Sequence, residues 1–253
     1  MSNWALITGA SAGIGYELAG IFAANRYNLV LVARNEARLQ ALAAQLRQES
    51  QIETLVLPKD LARPNAAAEI FSAVGVPLDV LVNNAGFGCY GPFAQADLGL
   101  QTDLMQVNMV ALTQLTHRFL QPMLARRRGR ILNVASTAAF QPGPLLSAYY
   151  ASKAFVYSFS YALANELEGT GVTVTALCPG TTRTEFFERA KIHMQRRWLL
   201  MDARVVALAG YRGLMKGKRV VIPGLMNRIL AMLSPCAPTR LTSAIARRIN
   251  EGG

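Results

Sequence analysis

The sequence predicts an α/β fold, a doubly wound parallel sheet with helices on both faces. Apolar runs of four to six residues alternate with longer stretches of helical periodicity between Trp4 and Cys178. Those runs are almost continuously apolar, as strands covered on both faces require. A glycine-rich turn holding Gly9, Gly13 and Gly15 separates the first apolar run from the first helical stretch, the place where such folds turn the backbone tightly into a helix.

Taken in order, residues 4–8 (WALIT) read as the first strand and 14–25 as the helix behind the glycine turn. The LVLVA run at 29–33 is the second strand, followed by a helix over 36–49 and a third strand at 54–58. Residues 64–74 form a helix, 80–83 (VLVN) a strand, 104–127 a long helix and 130–135 a strand. A helix over 148–168 and a strand at 173–178 complete the alternation. Strand-helix-strand connections of this length make neighbouring strands parallel, and ligands of such sheets bind beyond the strands' carboxyl ends.

At 253 residues, with 52% hydrophobic and 16% charged residues, the chain is expected to form one domain over 1–253 with a single core and no linker. The early start of the first strand argues against a secretory leader, and no apolar run reaches the roughly 20 residues of a membrane span. Three scattered cysteines, Cys89, Cys178 and Cys236, lack metal-ligand spacing; reduced thiols, no metal and a cytoplasmic location are expected. Net charge is +11 but regional: residues 1–185 hold 13 Lys/Arg against 12 Asp/Glu, and 186–253 hold 13 against 3. Nothing in that basic stretch has a nucleic-acid recognition motif, so nucleic acid is not expected as a partner.

Tyr149 and Lys153 stand four residues apart on a helix and so share a face. An ammonium beside a phenol favours phenolate and is expected to draw Tyr149 down towards a working pH, the tuning an acid or base catalyst needs. The turn after the first strand has the spacing GxxxGxG, which presents backbone N–H groups to a phosphate.

With these residues in place the chain resembles the short-chain dehydrogenase/reductase family, with its Rossmann-like fold, over most of its length. Thr8 to Gly15 is similar to the family's TGxxxGIG cofactor loop, and Asn83-Asn84-Ala85-Gly86 to its NNAG element. Asp60-Leu61 resembles its adenine-side contact, and Pro179-Gly180-Thr181-Thr182-Arg183-Thr184 its PGxxxT segment around the nicotinamide. Asn108, Ser136, Tyr149 and Lys153 match its catalytic tetrad. The resemblance implies that Gly9, Ser11, Ala12, Gly13, Ile14, Gly15, Arg34, Asp60, Leu61, Asn83, Ala85, Gly86, Tyr149, Lys153, Pro179, Gly180, Thr182 and Thr184 bind the dinucleotide. It also implies hydride exchange between nicotinamide and a carbonyl or alcohol carbon. Tyr149 would then donate the proton, Ser136 orient the oxygen, Lys153 hold the ribose and tune Tyr149, and Asn108 position a water.

Arg34 closes the second strand where an NAD site places a carboxylate, so NADP is expected over NAD, with Arg38 assisting. Residues 185–215 are expected to cover the site and set specificity: Phe186, Phe187, Trp198, Leu199, Leu200 and Met201 lie among Arg189, Lys191, Arg196 and Arg197. A lipid-like carbonyl such as a ketosteroid or 3-ketoacyl group suits an apolar pocket rimmed by cations, and a lid helix packed on the core accounts for the same residues. The basic extension 216–253 carries an apolar run, 225–233, between Pro223-Gly224 and Pro235. It reads either as an interfacial helix or as a short helix covered by the domain, and the covered arrangement is the one expected. The resemblance further implies a homodimer or homotetramer. A dinucleotide-binding regulator, or a peripheral membrane protein of the same fold, is the alternative function.

Overall fold

The computed structural model describes residues 3–186, 190 and 200–251. Phe187, Arg189, Lys191, Arg196, Arg197, Trp198 and Leu199, expected in the covering segment, lie outside the described residues.

Seven parallel strands form one sheet in the order β3-β2-β1-β4-β5-β6-β7. They are β1 (Trp4–Thr8), β2 (Asn28–Ala33), β3 (Thr54–Pro58), β4 (Val80–Asn83), β5 (Gly129–Val134), β6 (Val172–Leu177) and β7 (Val220–Val221). The first six match the expected strands to within a residue; β7, only two residues long, was not anticipated.

Among the described residues the α-helices are α1 (Gly13–Ala24), α2 (Glu36–Ser50), α3 (Ala66–Ala73), α4 (Leu98–Met105), α5 (Leu112–Ala125), α6 (Ser147–Glu166), α7 (Ala203–Met215), α8 (Leu225–Leu233) and α9 (Thr239–Asn250). Two apolar cores lie on opposite faces of the sheet. One joins α1, α2 and α7 through Leu18, Phe22, Leu39, Leu42 and Val206. The other joins α3 and α5 through Ile70, Leu115, Phe119 and Met123. Consecutive connections thus wind on both sides, and β1 and β4, neighbours in the sheet, send their chains to opposite faces.

The long helix expected over 104–127 is instead one run from Leu98 to Ala125 interrupted by a π-helical segment, Gln106–Ala111. Asp97 fixes the earlier start by accepting a hydrogen bond from the Leu100 N–H at 2.8 Å. Four buried polar residues of the interior form a connected chain. Asn83 Nδ2 donates to Thr116 Oγ1 (3.0 Å) and to Asn133 Oδ1 (2.9 Å), Asn133 Nδ2 donates to Ser160 Oγ (2.9 Å), and Ser160 donates to the Val156 carbonyl. Two strands and two helices are registered by it.

The expectation that the domain covers the 225–233 run is not met. In α8 only Ala231 is buried; Leu225, Met226, Met232 and Leu233 are 59–73% exposed. The reason is a contact across the fold. Asn227, one turn before Ala231, sits over Gly180 so closely that a Cβ there would lie 2.4 Å from its amide nitrogen, so the small and polar side of the helix faces inward.

The Asn83–Asn133–Ser160 chain has a measurable consequence. Asn133→Ala removes two buried hydrogen bonds and half-orphans the Asn83 amide, and is expected to lower stability by about 2–4 kcal/mol. Urea unfolding checks it through a lower midpoint.

Candidate active site

The carboxyl ends of β1, β2, β4, β5 and β6 open into a cavity of about 1630 Å³. Its floor begins at the turn from β1 into α1. Gly9 and Gly13 have φ of +68° and +56°, a left-handed backbone that side chains rarely adopt. Any Cβ at Gly15 would fall 2.3 Å from the Gly9 carbonyl oxygen, so glycine is what lets the helix begin this close to the turn. Ala12 at the helix N-cap supplies no side-chain cap, and the first-turn N–H groups are left beside the cavity for an anion. Gly9, Ser11, Ala12, Gly13 and Ile14 line the cavity; Gly15 stands behind them.

Across the sheet's switch point, Thr8 Oγ1 accepts from the backbone N–H groups of Asn84 and Ala85, both at 3.0 Å, and donates to the Val82 carbonyl. Asn84 Nδ2 returns a bond to the Thr8 carbonyl at 2.9 Å. This corrects one expected residue. The Asn83 side chain turns into the sheet interior and does not line the cavity, whereas Asn84 does, together with Ala85 and Gly86. Residues alternate in direction along an extended strand, so only one of two adjacent asparagines can face the site.

Ser136, Tyr149 and Lys153 come together on the cavity wall. Ser136 follows β5 and caps a short 3₁₀ turn, accepting from the Ala138 N–H and donating to the Pro179 carbonyl at 3.4 Å, and its hydroxyl is near enough to Tyr149 to favour the phenolate. Burial pushes the Tyr149 hydroxyl up to about 12, against a smaller downward effect of the nearby Ser136 hydroxyl. Lys153 is 5% exposed, donates to the Val134 carbonyl at 2.9 Å, and is pushed down to about 8 by burial. The expected lowering of Tyr149 by Lys153 is therefore absent here. The ammonium lies 5.7 Å from the centre of the tyrosine ring and is itself desolvated, so loss of water outweighs attraction for both groups. Tyr149 is a neutral O–H donor at physiological pH in this state.

Asn108, in the π-helical segment, is buried behind the wall rather than on it. Its Nδ2 donates to the Phe87 carbonyl (3.0 Å) and to Ser152 Oγ (3.0 Å), and its Oδ1 accepts from the Phe87 N–H (3.1 Å). Ser152 donates in turn to the Tyr149 carbonyl at 2.7 Å. Asn108 thus ties the segment after β4 to the helix that carries Tyr149.

At the far end of the cavity lie Arg34, Asp60 and Leu61. Arg34 is exposed just past β2. Arg38 is ion-paired with Glu185 at 2.8 Å, an engagement the sequence did not indicate. Asp60 closes its own turn by accepting from the Ala62 N–H. Pro179, Gly180, Thr182 and Thr184 line the opposite side, and a Cβ on Gly13 would lie 2.9 Å from the Thr184 methyl. Sequence reasoning missed Asn84, Phe87 and Ser152, as well as the contribution of α8 and α9 to the rim. It placed Phe186 in the covering segment without its partner, the Tyr149 ring, 5.0 Å away.

The short chain dehydrogenase family profile matches residues 3–195. A very-long-chain 3-oxoacyl-CoA reductase from Phaeosphaeria nodorum is 39% identical over 181 residues, covering 68% of this chain and 52% of the relative. The 17-beta-hydroxysteroid dehydrogenase type 3 of Mus musculus is 34% identical, covering 73% of this chain and 61% of the relative. This chain therefore spans about half to three fifths of the length of these two relatives. Among solved structures, a short-chain dehydrogenase from Sphingobium yanoikuyae in complex with NADPH superposes with a TM-score of 0.85, at 36% identity and 91% coverage of both chains.

The buried ammonium carries a sign that can be checked. Lys153 titrates near 8 in the fold and near its ordinary 10.5 when unfolded. Between those values the unfolded chain binds more protons, so stability rises with pH; below 8 the full penalty stands. Lys153→Met is expected to melt above the unmodified protein at pH 7, with the gap narrowing as pH rises from about 8 towards about 10.5. Thermal melts across that range test it; a gap that widens with pH reverses the assignment.

Proposed function

Because the chain belongs to the short-chain dehydrogenase family, we propose that it is an NADP-dependent oxidoreductase interconverting a carbonyl and an alcohol on a bulky, lipid-like substrate. The observation that carries this reading is the convergence of Ser136, Tyr149 and Lys153 on the wall of a cavity that begins at the glycine turn. The cavity fits a dinucleotide: left-handed glycines, uncapped N–H groups and an exposed guanidinium at the far end are what a pyrophosphate and a ribose phosphate need. Bound there, a nicotinamide would supply or accept hydride.

The chain's own residues handle the proton. In reduction Ser136 holds the carbonyl oxygen, and Tyr149, kept protonated by its burial, donates its O–H proton to that oxygen as negative charge develops. Lys153, anchored on the Val134 carbonyl, offers its remaining N–H groups to the cavity and compensates the phenolate left behind. Asn108 positions Tyr149 through Ser152 and the backbone. At about 1630 Å³ the cavity exceeds the roughly 300–1,000 Å³ of ordinary small-molecule pockets, which leaves room for a sizeable substrate beside a dinucleotide. Phe140, Leu146, Tyr150 and Phe186 make its substrate end apolar. The activities of these two relatives, on 3-oxoacyl-CoA and hydroxysteroids, favour the same substrate class.

Two measurements test the reading. Tyr149→Phe removes only the proton donor, and turnover of a ketosteroid or 3-ketoacyl thioester with NADPH is expected to fall by roughly 100-fold or more while cofactor binding persists. Turnover within a factor of two of the unmodified protein would exclude Tyr149 as the donor. For cofactor choice, Arg34 has no ion pair among the described residues, and Arg34→Asp is expected to invert the preference from NADPH to NADH. Equal affinities in the unmodified protein, by fluorescence titration, would remove Arg34 from that role.

A further inference from the structure

The last two helices are packed inside out. In α9 the buried positions are Thr242, Ala246 and Asn250, spaced by four, while Leu241, Ile245 and Ile249, one position earlier in each turn, are 50–55% exposed. In α8 Asn227 and Ala231 face the domain and Leu225, Ile229 and Leu233 face out, at 73%, 42% and 59% exposure. A surface helix ordinarily buries its apolar stripe. Here polar contacts pin this C-terminal segment instead. Tyr150 donates to Asn250 Oδ1 at 3.1 Å, Asn250 donates to the Pro144 carbonyl at 2.8 Å, and Ser234 donates to the Phe140 carbonyl at 2.9 Å.

Charge identifies what covers this face. From residue 203 onward the sequence has nine Lys/Arg and a single acid, Glu251. Arg228, Arg240 and Arg248 are exposed and belong to no ion pair among the described residues. Large apolar side chains beside unpaired cations match the acyl boundary and anionic headgroups of a leaflet. At 1.5 Å per residue the 9 and 12 residues of α8 and α9 measure about 14 and 18 Å, short of a bilayer's roughly 30 Å. No helix among the described residues is long and apolar enough to cross a membrane. Both helices can therefore lie only in the interface plane.

The same residues form the rim of the cavity: Leu225, Met226, Leu230, Leu233, Ile245 and Ile249 line it and are 50–73% exposed. Whatever seats on these two helices also covers the opening. A second copy of the chain, carrying the same cations, would bring like charges together and close the site, whereas a leaflet supplies apolar molecules to it.

We infer that α8 and α9 together dock on an anionic phospholipid surface, with the cavity mouth turned against the leaflet. Docking rests on the surface features alone; only the delivery of a lipid-like substrate through that mouth rests on the proposed function. The test is co-sedimentation of the full chain with vesicles of phosphatidylcholine alone and with about 30% phosphatidylserine, alongside light scattering for oligomeric state. Ile229→Glu/Met232→Glu and Arg228→Glu/Arg240→Glu alter exposed residues outside the cavity lining. The unmodified protein is expected to bind the anionic vesicles at low salt, release them by about 0.5 M salt, and ignore the neutral ones. Each double variant is expected to bind at least about tenfold more weakly with an unchanged melting temperature. Absence of binding by the unmodified protein, equal binding to neutral vesicles, or variants that bind normally would overturn the inference. A stable dimer that the Ile229→Glu/Met232→Glu change dissociates would assign the face to a second copy instead. Sedimentation reads lipid contact and no turnover, so its outcome is independent of whether the reaction is correctly assigned.

Discussion

Everything in the site depends on what happens where β1 and β4 part. These neighbouring strands end side by side and then send their chains to opposite faces, which leaves backbone N–H and C=O groups at the crevice without ladder partners. Thr8 and Asn84 resolve this. One hydroxyl receives two N–H groups and one carboxamide returns a bond to the Thr8 carbonyl. The glycine turn can then stay open to the cavity, because the backbone beside it is already satisfied. Without that stitch the crevice would have to fill with water or collapse, and neither leaves a shaped floor.

A second constraint is the buried polar path from Asn108 through Ser152 to the Tyr149 carbonyl. Each of these groups is costly to bury alone and tolerable only with its partners in place. The path therefore fixes the helix bearing Tyr149 more sharply than apolar packing does, since a sliding helix would orphan several groups at once. The desolvated Lys153 belongs to the same economy of charge: its proton is loosely held, its position is not.

The strands and their parallel order were legible in the sequence because buried parallel strands are apolar throughout, and a run such as LVLVA at 29–33 admits little else. Tyr149 and Lys153 were legible from their spacing on one helix, and Ser136 through the family resemblance alone. Asn83 was misread because two adjacent asparagines differ only in which way the pleat turns them, and that register comes from pairing with β1 and β5. The outward face of α8 was misread because an apolar run on its own promises burial; only the proximity of Asn227 to Gly180, a contact across the fold, settles which side turns in. The ion pair between Arg38 and Glu185, 147 positions apart, leaves no local trace at all.

The π-helical segment at Gln106–Ala111 also bears on how this chain tolerates change in length. A π turn is in effect an α-helix carrying one residue too many. Removing a single residue from it would heal the helix into an unbroken rod from Leu98 to Ala125, and by ordinary criteria of helix formation improve it. Yet the two halves would then rotate against each other by about 100°, and Asn108 could not face Phe87 and Ser152 while Leu115 and Phe119 kept their places in the core. The irregularity is thus the element that reconciles two incompatible phases along one helix. A deletion there ought to be far less forgiving than one in the loop preceding Asp97, even though it makes the local geometry more regular.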